Sequence, residues 1–284
     1  MKLLTRLGNN PAYIDRYVTI RNRKHTATRS VLVAAHPLIE GRYAAYENAL
    51  AQGTLASLPV YAGADALKQS LRACYDVPTL ALTALKKAIK AAQPPRLLKY
   101  CPMCGTTLPS TFDHYLPAVR FPEFSVHALN LVPCCATCNS TKDDDWLCDA
   151  GRRQFLHAYA DSLPDLQFLH VALHQAPGLQ GVGATFSLAR PTSVADDVWL
   201  LISKHYERLR LIARYDDGGN DELAEILANC RTYRDAGGQD VQAFLFGQAA
   251  DRSATYGRNN WIAVLMTAMA NHIDLESWVN AASP

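Results

Sequence analysis

Long apolar runs are missing from this 284-residue chain. Nothing approaches the ~20 consecutive apolar residues that a membrane-spanning helix requires, so the sequence predicts a soluble protein with no membrane partner. A dominant charge is missing as well: the formal net charge is +2. The whole molecule therefore lacks the electrostatic profile of a general nucleic-acid binder, and any such affinity must come from how charge is distributed. Internal repeats and low-complexity tracts are absent, which excludes a solenoid or a fibrous chain. No secretory signal opens the sequence, and Cys74, Cys148 and Cys230 are scattered singly. That usage suits reduced thiols in a cytoplasmic protein and not a disulfide framework. What is present is a 49% apolar composition, ample for a core, and a length that admits one large or two modest domains.

The remaining five cysteines crowd between Cys101 and Cys138. Cys101/Cys104 and Cys135/Cys138 are CxxC pairs, a spacing that lets each pair grip one side of a tetrahedral zinc ion. Two pairs close a four-coordinate site with no position left for water or substrate, so the ion would hold structure and do no chemistry. The competing descriptions are a disulfide framework or unrelated buried thiols. Cys134, adjacent to Cys135, does not keep the two-residue gap to Cys138 and is read as a spectator.

Between the pairs the chain reads FDHYLP and then ALNLVPCCATCNSTK. Asp113-His114, Pro117, Asn130-Leu131 and the Cys135-to-Lys142 segment resemble, in order, type and spacing, the HNH or ββα-metal endonuclease family. The resemblance covers about residues 97–147 and implies a small ββα module that hydrolyses phosphodiester bonds. Hydrolysis needs a base for water and a positive centre for the charge growing on phosphate. In this resemblance His114 is the base, its neutral imidazole being able to take a proton near physiological pH. Asp113 and Asn139 would hold one divalent cation through oxygen, a hard ligand set suited to Mg²⁺ or Mn²⁺. Asn130 would tie the loop that orients His114, and Lys142 would point its ammonium at the phosphate. Asn139 stands where other members carry a second histidine. The linker from Pro117 to Asn130 departs from the glycine-rich turn of many members, carrying Arg120, Phe121, Pro122, Glu123, Phe124, Ser125 and His127 instead.

Each residue also has a plainer reading. An Asp-His pair is often a surface turn, Asn139 could open a helix, and Lys142 could be solvated. His127 could touch metal or DNA but reads as a solvated loop histidine, and Asp143-Asp144-Asp145 could add metal ligands but reads as the exposed face of a short helix, since three carboxylates would repel a phosphate unless turned away. The rival function is a non-catalytic zinc knuckle binding nucleic acid or protein, which needs none of Asp113, His114 or Asn139. An RNA-cutting nuclease built on the same module is a further alternative.

The flanks read as mostly helical. Residues 1–30 hold seven Lys and Arg against the single acid Asp15, with Tyr13 and Tyr17 interleaved. Lys86, Lys87, Lys90, Arg96 and Lys99 lead into the first knuckle. Either stretch could neutralise phosphates or form a solvated face. Apolar spacing predicts helices over 38–58 and 78–92, with Pro94-Pro95 as a stop. A further helix is expected from Phe155, and a strand pair over 166–173 and 183–189 around a Pro-Gly turn. Helices are expected over 195–215, closing on Asp216-Asp217-Gly218-Gly219, and then over 221–233, 241–250 and 260–279. Trp261, Met266, Met269 and Trp278 fall on one face of the last, as core.

The reading is thus a mainly α chain with a ββα-metal nuclease module, a zinc knuckle pair and a C-terminal β-hairpin. Its three parts are a basic helical region over 1–96, the module over 97–150 and a helical region over 151–284. The expected partner is DNA. The flanks could build a DNA-binding groove that chooses the target or, by analogy with bacterial anti-phage effectors, dock a regulatory ATPase or a second copy of the chain.

Overall fold

The computed structural model describes residues 2–174 and 182–281. It is mainly helical, carries two small antiparallel sheets, and divides into two compact units. Among the described residues no helix is long and apolar enough to cross a membrane.

The first unit comprises Leu3–Met103 and Thr107–Ser162, so the N-terminal helices share one core with most of the cysteine-bearing segment. Its helices begin with α1 (Tyr13–Arg21), α2 (Thr26–Ala34), α3 (His36–Ala51), α4 (Ala62–Asp65), α5 (Lys68–Asp76) and α6 (Leu80–Ala91). The helix expected over 38–58 stops at Ala51, because Gly53 takes a positive φ of 70° and turns the chain. Its last apolar residues fall in a separate 3-10 turn, Leu55–Ser57. Helix α6 lies where the spacing placed it. The Thr79 side chain caps its first turn by accepting from the Leu82 N–H, and Leu82, Leu85 and Ile89 line its buried stripe.

No helix forms from Phe155. Phe155, Leu156, His157, Ala158 and Tyr159 are all buried, so the segment has no polar face to offer solvent and threads the core irregularly. Its backbone polar groups find distant partners: the Ala158 carbonyl accepts from the Leu4 N–H at 2.8 Å, and the Phe155 carbonyl from the Tyr115 hydroxyl at 2.9 Å.

Several N-terminal cations donate to backbone carbonyls. Arg6 donates to the Tyr159 carbonyl, Arg16 to the Gly8 carbonyl, and Lys2 to the Ala254 carbonyl. Lys24 is buried, and its ammonium reaches the Ala73 and Val77 carbonyls, 2.5 Å from each, at the C-terminus of α5. A cation there complements both the orphan carbonyls and the helix dipole.

Completing this unit, β1 (Thr111–His114) pairs antiparallel with β2 (Leu131–Cys134), and α7 (Ala136–Lys142) follows β2 directly.

The second unit comprises Met1–Lys2, Cys104–Thr106 and Leu163–Pro284. The expected strand pair forms as β3 (Leu169–His174) against β4 (Gly183–Leu188), with Leu169 opposite Leu188. The Pro177-Gly178 turn expected between them lies outside the described residues. After α8 (Asp196–Arg208), a left-handed Arg210 redirects the chain into α9 (Leu211–Asp235).

Helix α9 runs straight through Asp216-Asp217-Gly218-Gly219, where the sequence had suggested a turn. The reason is a helix–strand contact. Asp216 and Asn220 accept from the Phe186 and Ala184 N–H groups of β4, and a Cβ on Gly219 would lie 3.2 Å from the Phe186 ring. The glycine is there for close approach. Helices α10 (Val241–Tyr256), α11 (Trp261–Ala270) and α12 (Leu275–Ala281) complete the unit, the expected 260–279 helix breaking after Asn271. Trp261, Met266, Met269 and Trp278 are buried in its core.

Candidate active site and metal centre

The two strands and the short helix set out both features of interest. In β1–β2, Thr111 pairs with Cys134 and His114 with Leu131, so the strand ends carry Asp113 and His114 one way and deliver Cys135 to the start of α7 the other. Cys135 is the N-cap of α7, its Sγ accepting from the Cys138 N–H at 3.4 Å.

Cys101, Cys104, Cys135 and Cys138 are all buried, and their sulfurs lie within 4.8 Å of one another. A tetrahedral zinc with Zn–S of ~2.3 Å would set sulfur–sulfur separations of roughly 3.8 Å. Four sulfurs so grouped, with the Cys135 N–H also directed at the Cys101 Sγ at 3.3 Å, form a cluster that could bind zinc. The first knuckle turns through Gly105 at φ +70°, and the Trp261 indole donates to the Gly105 carbonyl at 3.1 Å. Cys134 is outside the cluster. Its thiol lies 3.3 Å from the Thr111 hydroxyl, and burial pushes its pKa up to about 12, which keeps it a protonated thiol.

On the other side of β1, Asp113, His114 and Asn139 line one cavity of about 400 Å³. His114 is half-buried, and its Nε2 lies 2.9 Å from the Ser125 carbonyl. A carbonyl can only accept, so Nε2 carries the proton and Nδ1 keeps a lone pair. The ring meets Tyr75 edge-on at 4.3 Å. Burial lowers the His114 pKa to about 4; the Ser125 contact opposes this, while the Lys142, Lys86 and Arg72 charges add to it.

Asp113 is buried, which raises its pKa, and Lys142 partly offsets that through a 3.0 Å ion pair. Lys142 corrects the sequence reading. Its side chain has no exposure, and it bridges Asp113 to the His114 carbonyl, 2.8 Å away, without reaching the pocket. As the last residue of α7 its side chain leans back over the helix toward β1, where a buried carboxylate requires a countercharge.

Asn130 is fully buried and clamps the intervening loop. Its Oδ1 accepts from the Leu116 N–H at 2.7 Å, and its Nδ2 donates to the Leu116 and Phe124 carbonyls at 3.1 and 3.2 Å. Both ends of the segment that supplies the Ser125 carbonyl are thereby tied to one side chain.

Other residues depart from expectation. His127 is fully buried and not a solvated loop residue: Tyr13, Tyr43 and Tyr46 surround its ring, and Glu47 faces it at 3.7 Å. Phe124 of the same linker also meets it, ring centroids 6.2 Å apart and nearly perpendicular. Asp143 and Asp144 are exposed but line the pocket, whereas Asp145 accepts from Gln154 at 2.6 Å. Sequence reasoning missed Arg72, Tyr75 and Asp76 altogether. They reach the pocket from α5, and no local pattern links that helix to the strands.

No family model matches the chain, and no solved structure matches it significantly. Over 134 residues the chain is 26% identical to Protein ea31 of Escherichia phage lambda, a match covering 47% of this chain and 45% of that protein. The chain thus matches less than half the length of that relative.

Proposed function

We propose that the chain is a metal-dependent endonuclease of the HNH type, hydrolysing phosphodiester bonds in DNA. The observation that carries this is the meeting of Asp113, His114 and Asn139 in one pocket beside a four-sulfur cluster. A non-catalytic knuckle gives no reason for a histidine of fixed tautomer to line a cavity.

The residues divide the work. Nδ1 of His114 takes a proton from the attacking water while Nε2–H, held by the Ser125 carbonyl, keeps the ring in one orientation. Burial holds the imidazole neutral and ready to accept. Asp113 and Asn139 offer oxygen ligands that fit Mg²⁺ or Mn²⁺, and such a cation would offset charge on the phosphate and on the leaving oxygen. Lys142 fixes the Asp113 carboxylate, and Asn130 fixes the loop that carries Ser125. The cysteine cluster, loaded with zinc, would set the start of α7 and so the place of Asn139.

The test is cleavage of supercoiled plasmid, single-stranded DNA and RNA by the wild type and Asn139→Ala, with Mg²⁺, Mn²⁺ or EDTA. Cutting of DNA by the wild type in divalent metal, lost in the variant, is the expected result. Cutting of RNA alone would move the substrate class, and no cutting of any polymer would return the chain to the zinc-knuckle alternative.

A further inference from the structure

Phosphoryl chemistry needs a cation at the phosphate, and the lysine that the motif supplies is spent elsewhere. Lys142 has no exposed side-chain surface and satisfies Asp113 and the His114 carbonyl. Freeing it would strand a buried carboxylate without its countercharge. The pocket itself carries acid at its rim in Asp76, Asp143 and Asp144. Among the described residues that line it, Arg72 is the one cation.

Arg72 is built to present its guanidinium. Its Nε pairs with Asp76 Oδ2 at 3.3 Å, one turn along the same helix, and its side chain is 37% exposed. That contact uses one edge of the guanidinium and leaves its terminal amino groups for a ligand. The helix beneath it is fixed twice. Lys24 holds the Ala73 and Val77 carbonyls, and the Tyr75 hydroxyl donates to the Phe112 carbonyl of β1 at 3.3 Å, beside Asp113. Tyr75 also meets the His114 ring in a T-shaped contact, and the Lys86 ammonium lies 3.8 Å from the Tyr75 ring centre. The same turn of α5 therefore braces the base and carries the cation.

We infer that Arg72, on a helix outside the β1–β2–α7 segment, is the residue that binds the scissile phosphate and neutralises its growing charge. This rests on the nuclease reading. A phosphate entering the pocket would meet the terminal amino groups of Arg72 while Asp76 keeps the Nε, so the fork is pre-oriented before substrate arrives. Beside the divalent cation, that charge would help to offset the acidic rim.

The experiment is steady-state cleavage of a short DNA duplex by wild type, Arg72→Ala, Arg72→Gln and Arg72→Lys, with melting temperature and zinc content measured in parallel. The expected result is a fall in kcat/KM of about 100-fold for the alanine variant, with partial recovery for lysine, which keeps the charge but not the fork. In a His114→Ala background, adding Arg72→Ala should reduce the salt slope of duplex binding by about one counterion. A purely structural residue would move the melting temperature and leave that slope alone. Arg72→Gln, which keeps the stem and a donor for Asp76, decides the matter if the alanine variant melts early. Wild-type cutting with Arg72→Ala and Arg72→Gln within threefold of it would overturn this inference and leave the nuclease standing. A wild type inert toward DNA and RNA in every metal would overturn both.

Discussion

Lys142 offers the sharpest contrast between a structural and a substrate-facing role. Replacing it with Met removes the charge but keeps the length and apolar stem. Asp113 then loses a 3.0 Å partner at 4% side-chain exposure, and the His114 carbonyl loses its 2.8 Å donor. Breaking a buried pair by removing one member costs about 3–5 kcal/mol. For a folding unit of roughly 150 residues, each kcal/mol is worth about 2–4 °C, so Lys142→Met should lower the melting temperature by roughly 6–20 °C. The stranded carboxylate should respond by binding a proton, because burial already raises its pKa and the Lys142 ammonium is what opposes that rise. Adding Asp113→Asn removes the uncompensated charge, so the double variant should regain at least half of the lost stability. The assay is thermal melting of zinc-loaded protein at neutral pH, followed by near-UV circular dichroism. A single variant melting within about 2 °C of wild type would refute this, and would put the ammonium at the substrate after all.

Other outcomes follow from named contacts. Chelating zinc should change intrinsic fluorescence through the Trp261 bond to Gly105, and Trp261→Phe should abolish most of that change; an equal change in both proteins would break the link. Cys134→Ser should keep one zinc per chain by elemental analysis while Cys135→Ser loses it, and the reverse would redraw the cluster. His157 is buried, and burial holds its pKa well below the ordinary value. Between that low pKa and the unfolded value near ~6.5 the unfolded chain binds more protons, so stability rises with pH across this window and is lost as pH falls below about 6.5. His157→Gln should flatten the acid side of a melting-temperature profile, and an unchanged profile would contradict the assignment. In α9, Gly219→Leu should destabilise by about 1–3 kcal/mol through the Phe186 contact. Gly218→Ala, whose Cβ would meet Trp261 at an ordinary 3.6 Å, should gain up to about 1 kcal/mol from helix propensity; equal effects in urea melts would refute the close-approach argument.

What the sequence made legible was local. A CxxC spacing places two sulfurs on one turn whatever surrounds it, so the four-cysteine cluster could be read without a structure. Amphipathic spacing with a threonine cap did the same for α6, and alternation between breaks for β3 and β4. What stayed hidden depended on distant partners. Asp216-Asp217-Gly218-Gly219 has the composition of a turn, but its glycine is small because β4 lies against it. His127 sits in a polar-looking linker, yet tyrosines from α1 and α3 enclose it. Lys142 looked solvated or substrate-facing because the burial of Asp113, 29 residues earlier, has no sequence signature. Arg72 was invisible for the same reason: α5 meets β1 only in the folded unit. Its i,i+4 pairing with Asp76 alone reads as ordinary helix decoration.

Catalysis by His114 is tested by relaxation of supercoiled plasmid by wild type and His114→Ala, side by side, in Mg²⁺, in Mn²⁺ and with EDTA. The expected result is metal-dependent nicking by the wild type and a loss of several orders of magnitude in a His114→Ala protein that keeps its zinc content and its melting transition. Nicking by folded His114→Ala at the wild-type rate would contradict it.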